Sequence, residues 1–206
     1  MKRSLCVLLG IGSLSAHAAI ISSVSMQGGM LMPTVSYSNS DGRVHVDMPV
    51  EVPTLTPLLV SSPADNFDPA DPWYNNLDPS KQGYAFSRRY GFNPPMVPET
   101  LPQNTAFWIR KLSGSPELGF YRYNQNAPKA WEPIFGTAGS PAARYWNGMM
   151  FHPGVSAPAG TNSYTATFEV FLMDTNLNQE VANSSSGPLV FNFNNLPDGR
   201  PEMDLG

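Results

Sequence analysis

The sequence predicts an all-β protein: an antiparallel β-sandwich, immunoglobulin-like or jelly-roll-like, with long proline-rich loops. Two observations lead to this prediction. Residues 163–174 alternate with a period of two between an apolar face and a mostly polar face, as in a strand with one buried side. The 21 prolines and 17 glycines lie between several shorter runs of the same kind, and no run has a helical period.

The run at 163–174 is the longest predicted strand. Turn-forming residues follow it, and a second alternating run occupies 188–193. We expect these two strands to pair antiparallel and to supply much of the core. Phe168 is predicted to point inward, whereas Glu169 and Phe171 belong to the outward face, where Glu169 is expected to be solvated.

The other elements follow from shorter patterns along the chain. Residues 39–42, Asn-Ser-Asp-Gly, predict a turn before an alternating strand at 43–50. Further predicted strands are 54–60, 105–112, 118–123 and 144–151, with 118–123 as the hairpin partner of 105–112. The predicted loops are 61–80, 124–141 and 153–160.

The first 18 residues are typical of a secretory signal peptide. Lys2 and Arg3 form a basic start, an apolar run follows at 5–14, and residues 16–18, Ala-His-Ala, form a small-x-small cleavage site. The apolar run is shorter than the ~20 residues that span a bilayer. We therefore expect residues 1–18 to be removed and the protein to be secreted, periplasmic or held at the cell surface.

The mature chain is then expected to be one domain at 19–196 with a flexible tail at 197–206. Cys6 is the only cysteine and lies in the leader, so the mature chain has no disulfide, thiolate ligand or cysteine nucleophile. Loss of the two basic leader residues changes the formal charge from −4 to −6. This acidic balance argues against a nucleic-acid partner, and no later segment is apolar enough to be transmembrane.

Metal ligation has two candidate sets. His45 and Asp47 stand two residues apart on the outward face of one strand, and His152 ends another strand, so the three could form a zinc or copper site if those ends meet. Four aspartates in the loop 61–80 could instead hold calcium: Asp65, Asp68, Asp71 and Asp78. The alternatives are two unrelated surface histidines and a solvated acidic loop.

Enzymatic activity is not predicted. The sequence has no Gly-x-Ser-x-Gly elbow, and a Ser-His-Asp set could use only two histidines. Four glutamates remain formal candidates for a paired-carboxylate site: Glu99, Glu117, Glu132 and Glu169.

Aromatic residues in the loops are the candidate ligand-binding residues, since their rings can stack on sugars. The candidates are Trp73, Tyr74, Trp131 and Trp146. The alternative is that these side chains pin long loops to the sheets and are buried.

The order of features resembles a family of bacterial surface-protein repeats. Its members carry varied anchors (choice-of-anchor or PEP-CTERM-type), and some are tied to zinc-regulated genes and metal uptake. The residues that carry the resemblance are 41–47 (Asp-Gly-Arg-Val-His-Val-Asp), 57–60, 113–114 with 120–123, 147–151, 157–161, 164–170 and 186–188. The resemblance implies a sandwich fold and an envelope location. The family's histidine motifs are degenerate here, because only His45 stands in the early strand, and Ala143 and Tyr145 occupy the later His-x-His positions.

Together these patterns predict a secreted or cell-envelope β-sandwich with a non-enzymatic role in binding or surface display and with no cofactor. Two alternatives are a metal-binding protein for zinc or copper and a carbohydrate-binding module that uses loop aromatics. The partner stays open between an envelope polysaccharide and a protein.

Overall fold

The computed structural model describes residues 32–48, 84–87, 90–96, 98–124, 130–158 and 160–194. The leader, the predicted strand at 54–60, the loop at 61–80 and the tail lie outside these ranges. Within them the chain forms eleven strands: β1 Thr34–Ser38, β2 Arg43–Asp47, β3 Tyr84–Ser87, β4 Thr105–Gly114, β5 Gly119–Asn124, β6 Ala130–Ile134, β7 Ala143–Trp146, β8 Gly154–Pro158, β9 Ser163–Asp174, β10 Gln179–Glu180 and β11 Leu189–Asn194.

The strands form two larger antiparallel sheets and a hairpin. The first sheet has the order β10-β9-β4-β7, and β11 also pairs with β9. The second sheet has the order β3-β8-β5-β6, and β1 pairs with β2. Phe168 of β9 meets Phe120 of β5 with ring centroids 5.3 Å apart, so the two larger sheets enclose a common core. The predicted all-β, antiparallel sandwich is confirmed.

The predicted pairing of the two long strands is also confirmed. β11 pairs antiparallel with β9 in a register that places Leu189 opposite Phe168 and Phe193 opposite Tyr164. β9 carries β4 on its other edge, with Ile109 opposite Val170. The longest strand is therefore the centre of the first sheet, as the length of its alternating pattern suggested.

The predicted hairpin of 105–112 with 118–123 is wrong. β4 pairs with β7 and β9 in the first sheet, whereas β5 pairs with β6 and β8 in the second. The short link between them therefore carries the chain from one sheet to the other. Burial explains this crossing, because Phe120 is 1% exposed and packs on the core face opposite β9.

Two predicted loops contain strands. β6 lies within the predicted loop 124–141, and β8 lies within 153–160. β6 is the last strand of its sheet, which tolerates Pro133 because a proline cannot donate to a further neighbour. β8 has a neighbour on both sides and consists of small or β-branched residues that are almost all buried.

The core is built around the ring of Phe168, which is 1% exposed. Four other phenylalanine rings lie within 5.1–6.0 Å of its centroid: Phe92, Phe120, Phe135 and Phe191. Edge-to-face and tilted contacts of this kind add to the free energy of area burial. The inward position predicted for Phe168 is confirmed.

The outward face of β9 is not solvated over its central part, contrary to the prediction for Glu169. Glu169 is 7% exposed and Phe171 is 1% exposed. Arg110 covers both, with its guanidinium carbon 4.5 Å from the centroid of the Phe171 ring. Ser185, from the segment after β10, donates a hydrogen bond to Glu169 Oε2 at 2.7 Å. The strand is in the predicted phase, but a second layer closes over it.

Candidate functional site

An open cleft lies where one end of β5 approaches β7 and the segment that follows β7. Its volume is about 440 Å³, within the usual range of small-ligand sites. We call it the arginine cleft, and it is lined by Arg122, Tyr123, Arg144, Tyr145, Trp146, Asn147, Met149, Met150, Phe151 and His152. It combines two guanidinium groups with aromatic, amide and thioether side chains.

Arg144 occupies a core-facing strand position, where an apolar residue is usual. It lies on β7 opposite Ile109 of β4, and Ile109 is fully buried in the core. Residues directly opposite each other in a sheet project from the same face. Arg144 therefore projects from the core face of its sheet, at the outermost strand, where its head reaches the cleft.

The guanidinium of Arg144 is incompletely satisfied. Its carbon lies 4.6 Å from the centroid of the Phe151 ring, a cation–π contact. Its Nη1 is buried and has no hydrogen-bond partner in the part of the chain that the structure describes. Burial, together with the nearby charge of Arg122, lowers the pKa of Arg144 to about 10. The fold thus buries an unpaired N–H donor and a charged group, and both lower the stability of the folded state.

Arg122, the second arginine, is neutralised by a carboxylate. It lies opposite Glu132 across β5 and β6, and its Nη2 donates to Glu132 Oε2 at 2.6 Å. Asn124 donates from Nδ2 to the other oxygen of Glu132 at 2.8 Å. The hydrogen bonds from Arg122 and Asn124 lower the pKa of Glu132, so it stays ionised. Arg144, in contrast, has no carboxylate in ion-pair contact among the described residues, and the charge of Glu132 offsets its charge only in part.

The segment after β7 forms one wall of the cleft and is held by local hydrogen bonds. Trp146 donates from its indole nitrogen to the carbonyl of Met149 at 2.6 Å, and the Met149 N–H donates to Asn147 Oδ1 at 3.1 Å. Phe151 then exchanges two backbone hydrogen bonds of 3.0 Å with Phe92. A side chain on Gly91 would meet the Phe151 carbonyl oxygen at 2.5 Å, so this approach requires glycine.

A second concavity of about 320 Å³ shares the ridge at 145–147 with the arginine cleft. It is lined mainly by apolar side chains, including three prolines and Leu101, with Glu99 at its border. Glu99 accepts hydrogen bonds from the backbone and side chain of Asn39 at 2.7 and 2.9 Å. Glu99 is the one charged side chain among the lining residues of this groove, and it is exposed to solvent.

The predicted metal ligands occupy two different places. His45 and Asp47 are exposed on β2, and His45 Nε2 lies within hydrogen-bond distance, 2.8 Å, of Asp41 Oδ2, four residues earlier in the chain. His152 lines the arginine cleft instead. Across the described ranges, no group of three or more His, Cys, Asp or Glu side chains is placed to hold a metal ion. The four aspartates of the proposed calcium loop lie outside those ranges.

The predicted stacking residues divide in a similar way. Trp131 and Trp146 are 2% and 4% exposed, so neither indole offers a face to solvent. Trp131 packs against Tyr123 with ring centroids 5.4 Å apart, and Trp146 packs against Phe107 at 5.3 Å. Both serve as packing residues under the cleft, although Trp146 contributes to its lining. Trp73 and Tyr74 lie outside the described residues.

Three of the four glutamates considered for catalysis hold other groups in place. Glu132 pairs with Arg122, Glu169 pairs with Arg110, and Glu99 anchors Asn39. Glu117 is exposed on the link that precedes β5. A general acid requires a raised pKa at neutral pH, and the pKa of Glu132, the carboxyl nearest the cleft, is lowered.

Sequence reasoning missed the two arginines of the cleft. Arg122 on β5 and Arg144 on β7 are separated by one strand, β6, in the chain and belong to different sheets, so their proximity follows from the crossing between sheets. One local indication was available, because Arg144 stands in phase with Trp146 in an otherwise alternating run. A charged residue in an inward phase is a departure from patterning of the kind that marks functional sites.

Comparison of the chain with protein-family models, with curated proteins and with solved structures finds no match. Among the described residues, no helix has the length and apolar character needed to cross a membrane.

Proposed function

We propose that this protein is a secreted or cell-envelope β-sandwich that binds a ligand without transforming it, and that the ligand occupies the arginine cleft. The observation that carries this proposal is Arg144, which projects from a core-facing position yet leaves a buried N–H donor without a partner. A buried, unsatisfied donor is costly, and such donors are rare in folded proteins. A ligand acceptor in the cleft would remove this cost once the guanidinium turns to bring Nη1 to the surface of the cleft.

The proposed location of the protein is argued from its sequence. The leader pattern at 1–18 and the likeness to surface-anchored repeat proteins support a location outside the cytoplasm. The absence of cysteine from 19–206 is compatible with that location, since the core of aromatic rings supplies stability without disulfides. An envelope protein with an open cleft, and with no catalytic constellation among the residues that the structure describes, is suited to recognition or display.

A binding role is favoured over catalysis by the roles of the carboxylates. Glu132 and Glu169 both form ion pairs with arginines, and no carboxylate is among the described residues that line the arginine cleft. A metal-binding role has less support, because His45 and His152 line different concavities. Single histidines can still bind weakly, and a calorimetric titration with zinc or copper tests this alternative directly.

Two experiments on the full chain test the proposal: its location in the cell and its retention on envelope material. Fractionation of the producing cells should place the processed protein outside the cytoplasm, with an N-terminus at Ala19. The purified protein should be retained on envelope material from the same cells, and Tyr145→Glu, which adds a negative charge at the rim, should weaken retention. Val190→Glu, at an exposed site on β11, is the matched control.

Two results would overturn the proposal. The first is a cytoplasmic, unprocessed protein. The second is turnover of an ester, peptide or glycan that is lost in a cleft variant such as Tyr145→Glu. Equal retention of the parent and of Tyr145→Glu would instead place the binding surface elsewhere and remove the cleft from it.

A further inference from the structure

The chemistry of the arginine cleft allows the ligand to be specified beyond a general binding role. This step rests on the proposed function, because it assigns a ligand class to the same cleft. Three features constrain that class: the geometry of the unsatisfied donor, the net charge of the cleft and the chemistry of its rim.

The donor geometry favours a planar oxyanion. Arg144 lies against Phe151, with its guanidinium carbon 4.6 Å from the ring centroid, which limits its orientation. A guanidinium presents parallel N–H donors that match the two oxygens of a carboxylate. Nη1 is buried and unpartnered in the described part of the chain, so the guanidinium can turn this donor toward a ligand in the cleft without breaking a hydrogen bond at Nη1.

The charge of the cleft favours a monoanion. Arg122 and Arg144 contribute two positive charges, and Glu132, 2.6 Å from Arg122, contributes one negative charge. One positive charge is left on Arg144. A carboxylate neutralises it, whereas a phosphate dianion would leave an excess negative charge next to Glu132.

The rim favours a polyhydroxylated ring as the body of the ligand. Tyr145 and Asn147 place a phenol and an amide NH₂ group at the rim, and Tyr145 is 55% exposed. Sugars present apolar faces and polar edges, and tyrosine can contact both. Met149, 65% exposed, adds apolar surface to the same rim.

We infer that the arginine cleft binds a carboxylate-bearing saccharide, a uronic acid or an oligosaccharide that contains one, with its carboxylate on Arg144. Arg122 supports this contact as a neighbouring charge while remaining paired with Glu132. The contact is charge-assisted, so binding should weaken as ionic strength rises.

The test uses matched probes on the full processed chain. The probes are a glucuronic-acid oligosaccharide, the same oligosaccharide with its carboxylates reduced to hydroxymethyl groups, and an acidic peptide with an equal number of carboxylates. Calorimetry should show binding of the first probe and at least about tenfold weaker binding of the second, since a charge-assisted hydrogen bond is lost. The monosaccharide glucuronate distinguishes recognition of one residue from recognition of the polymer.

Variants assign the contact to Arg144. Arg144→Gln should weaken binding of the acidic oligosaccharide about 10- to 100-fold and leave binding of the reduced one unchanged. Arg144→Lys keeps the positive charge but loses the parallel N–H donors of the guanidinium. Its loss of affinity should therefore be smaller than that of Arg144→Gln. Arg43→Gln, an exposed arginine on β2, should bind like the parent. Thermal unfolding of each variant confirms that it is folded.

Equal affinity for the acidic and reduced oligosaccharides, or an Arg144→Gln variant that binds like the parent, would overturn the inference. Tighter binding of the acidic peptide than of the oligosaccharide would also overturn it. None of these results bears on retention of the protein on envelope material through the cleft. The proposed function is therefore tested separately from the ligand class. Failure of the parent to bind any of the probes, with no retention on envelope material, would reject both.

Discussion

Arg110 donates a hydrogen bond from Nε to Oε1 of Glu169 at 2.6 Å, across two strands that pair in direct register. The same guanidinium donates from Nη1 to Glu180 Oε2 at 3.0 Å and covers the Phe171 ring. Glu169 receives a further bond from Ser185. One arginine therefore joins β4, β9 and β10 on the side of the sheet that faces away from the core.

Glu169→Ala should destabilise the protein by about 1–3 kcal/mol, because Arg110 and Ser185 lose their acceptor. The loss stays below that of a fully buried ion pair because Arg110 is 35% exposed and water can solvate it. Urea unfolding monitored by tryptophan fluorescence measures the change. Glu117→Ala, at an exposed glutamate, is the control and should lie within about 0.5 kcal/mol of the parent. Equal effects of the two changes would show that the network contributes nothing.

Phe168→Ala should be more damaging, at about 3–5 kcal/mol, since it removes a ring from the centre of the aromatic core and leaves a cavity. That is a large share of a typical stability of about 5–15 kcal/mol. Val190→Ala is the control because Val190 is 49% exposed on the paired strand β11. The same unfolding experiment should rank the losses as Phe168→Ala, then Glu169→Ala, then Val190→Ala. A reversal of the first two would contradict this account of the core.

The inward phase of Phe168 was predictable because it depends on a period of two within a single strand. The burial of Glu169 was not, because the covering groups, Arg110 and Ser185, come from other strands and a loop. Period-two patterning identifies one buried face of a strand. To predict that both faces are covered, one must know which distant residues pack on the second face. The polar character of Glu169 made the wrong expectation natural.

The missed strands and the missed cleft have related causes. Pro133 in β6 is a strand breaker by local preference, and only its place at a sheet edge makes it acceptable. The crossing between β4 and β5 places Arg122 in one sheet and Arg144 in the other, so the cleft depends on topology. The sequence singled out tryptophans and histidines by residue type, whereas the structure draws attention to an arginine by its position.

Glu132 provides a pH-dependent test of the cleft. Hydrogen bonds from Arg122 and Asn124 lower its pKa below the ordinary 4.5, so the folded state favours the ionised form. Its contribution to stability is therefore complete above about pH 4.5 and is lost as the pH falls through the folded-state pKa. The stability difference between the parent and Glu132→Gln should be present at pH 7 and should vanish in acid.

The size of this difference should be about 1 kcal/mol or less, because the Glu132 side chain is 39% exposed. Urea unfolding of both proteins across a pH series measures it. Glu117→Gln, at an exposed glutamate on the link before β5, is the control, and its stability at pH 7 should lie within about 0.5 kcal/mol of the parent. A difference that grows toward acid would have the opposite sign and would contradict the role assigned to the Arg122 pair.

Arg144→Met should stabilise the unliganded protein by about 1–3 kcal/mol at pH 7. Burial and Arg122 lower the Arg144 pKa to about 10, so its charged form is disfavoured in the folded state. Methionine keeps an apolar stem against Phe151 and removes both the charge and the unsatisfied donor. The cost of the charge is fully present below pH 10 and declines as the pH rises above it, so the advantage of the variant should shrink in strong base.

Arg122→Met is the matched comparison, because Arg122 already has its partner in Glu132. That variant should lose stability, as Glu132 is left without its ion pair. Thermal and urea unfolding at neutral pH should therefore show that Arg144→Met is more stable than the parent and that Arg122→Met is less stable. A gain of stability in Arg144→Met would mean that the folded protein tolerates a penalty at this position, which is expected where a side chain is kept for binding. A loss equal to that of Arg122→Met would identify Arg144 as a structural residue and would remove the observation on which the cleft proposal depends.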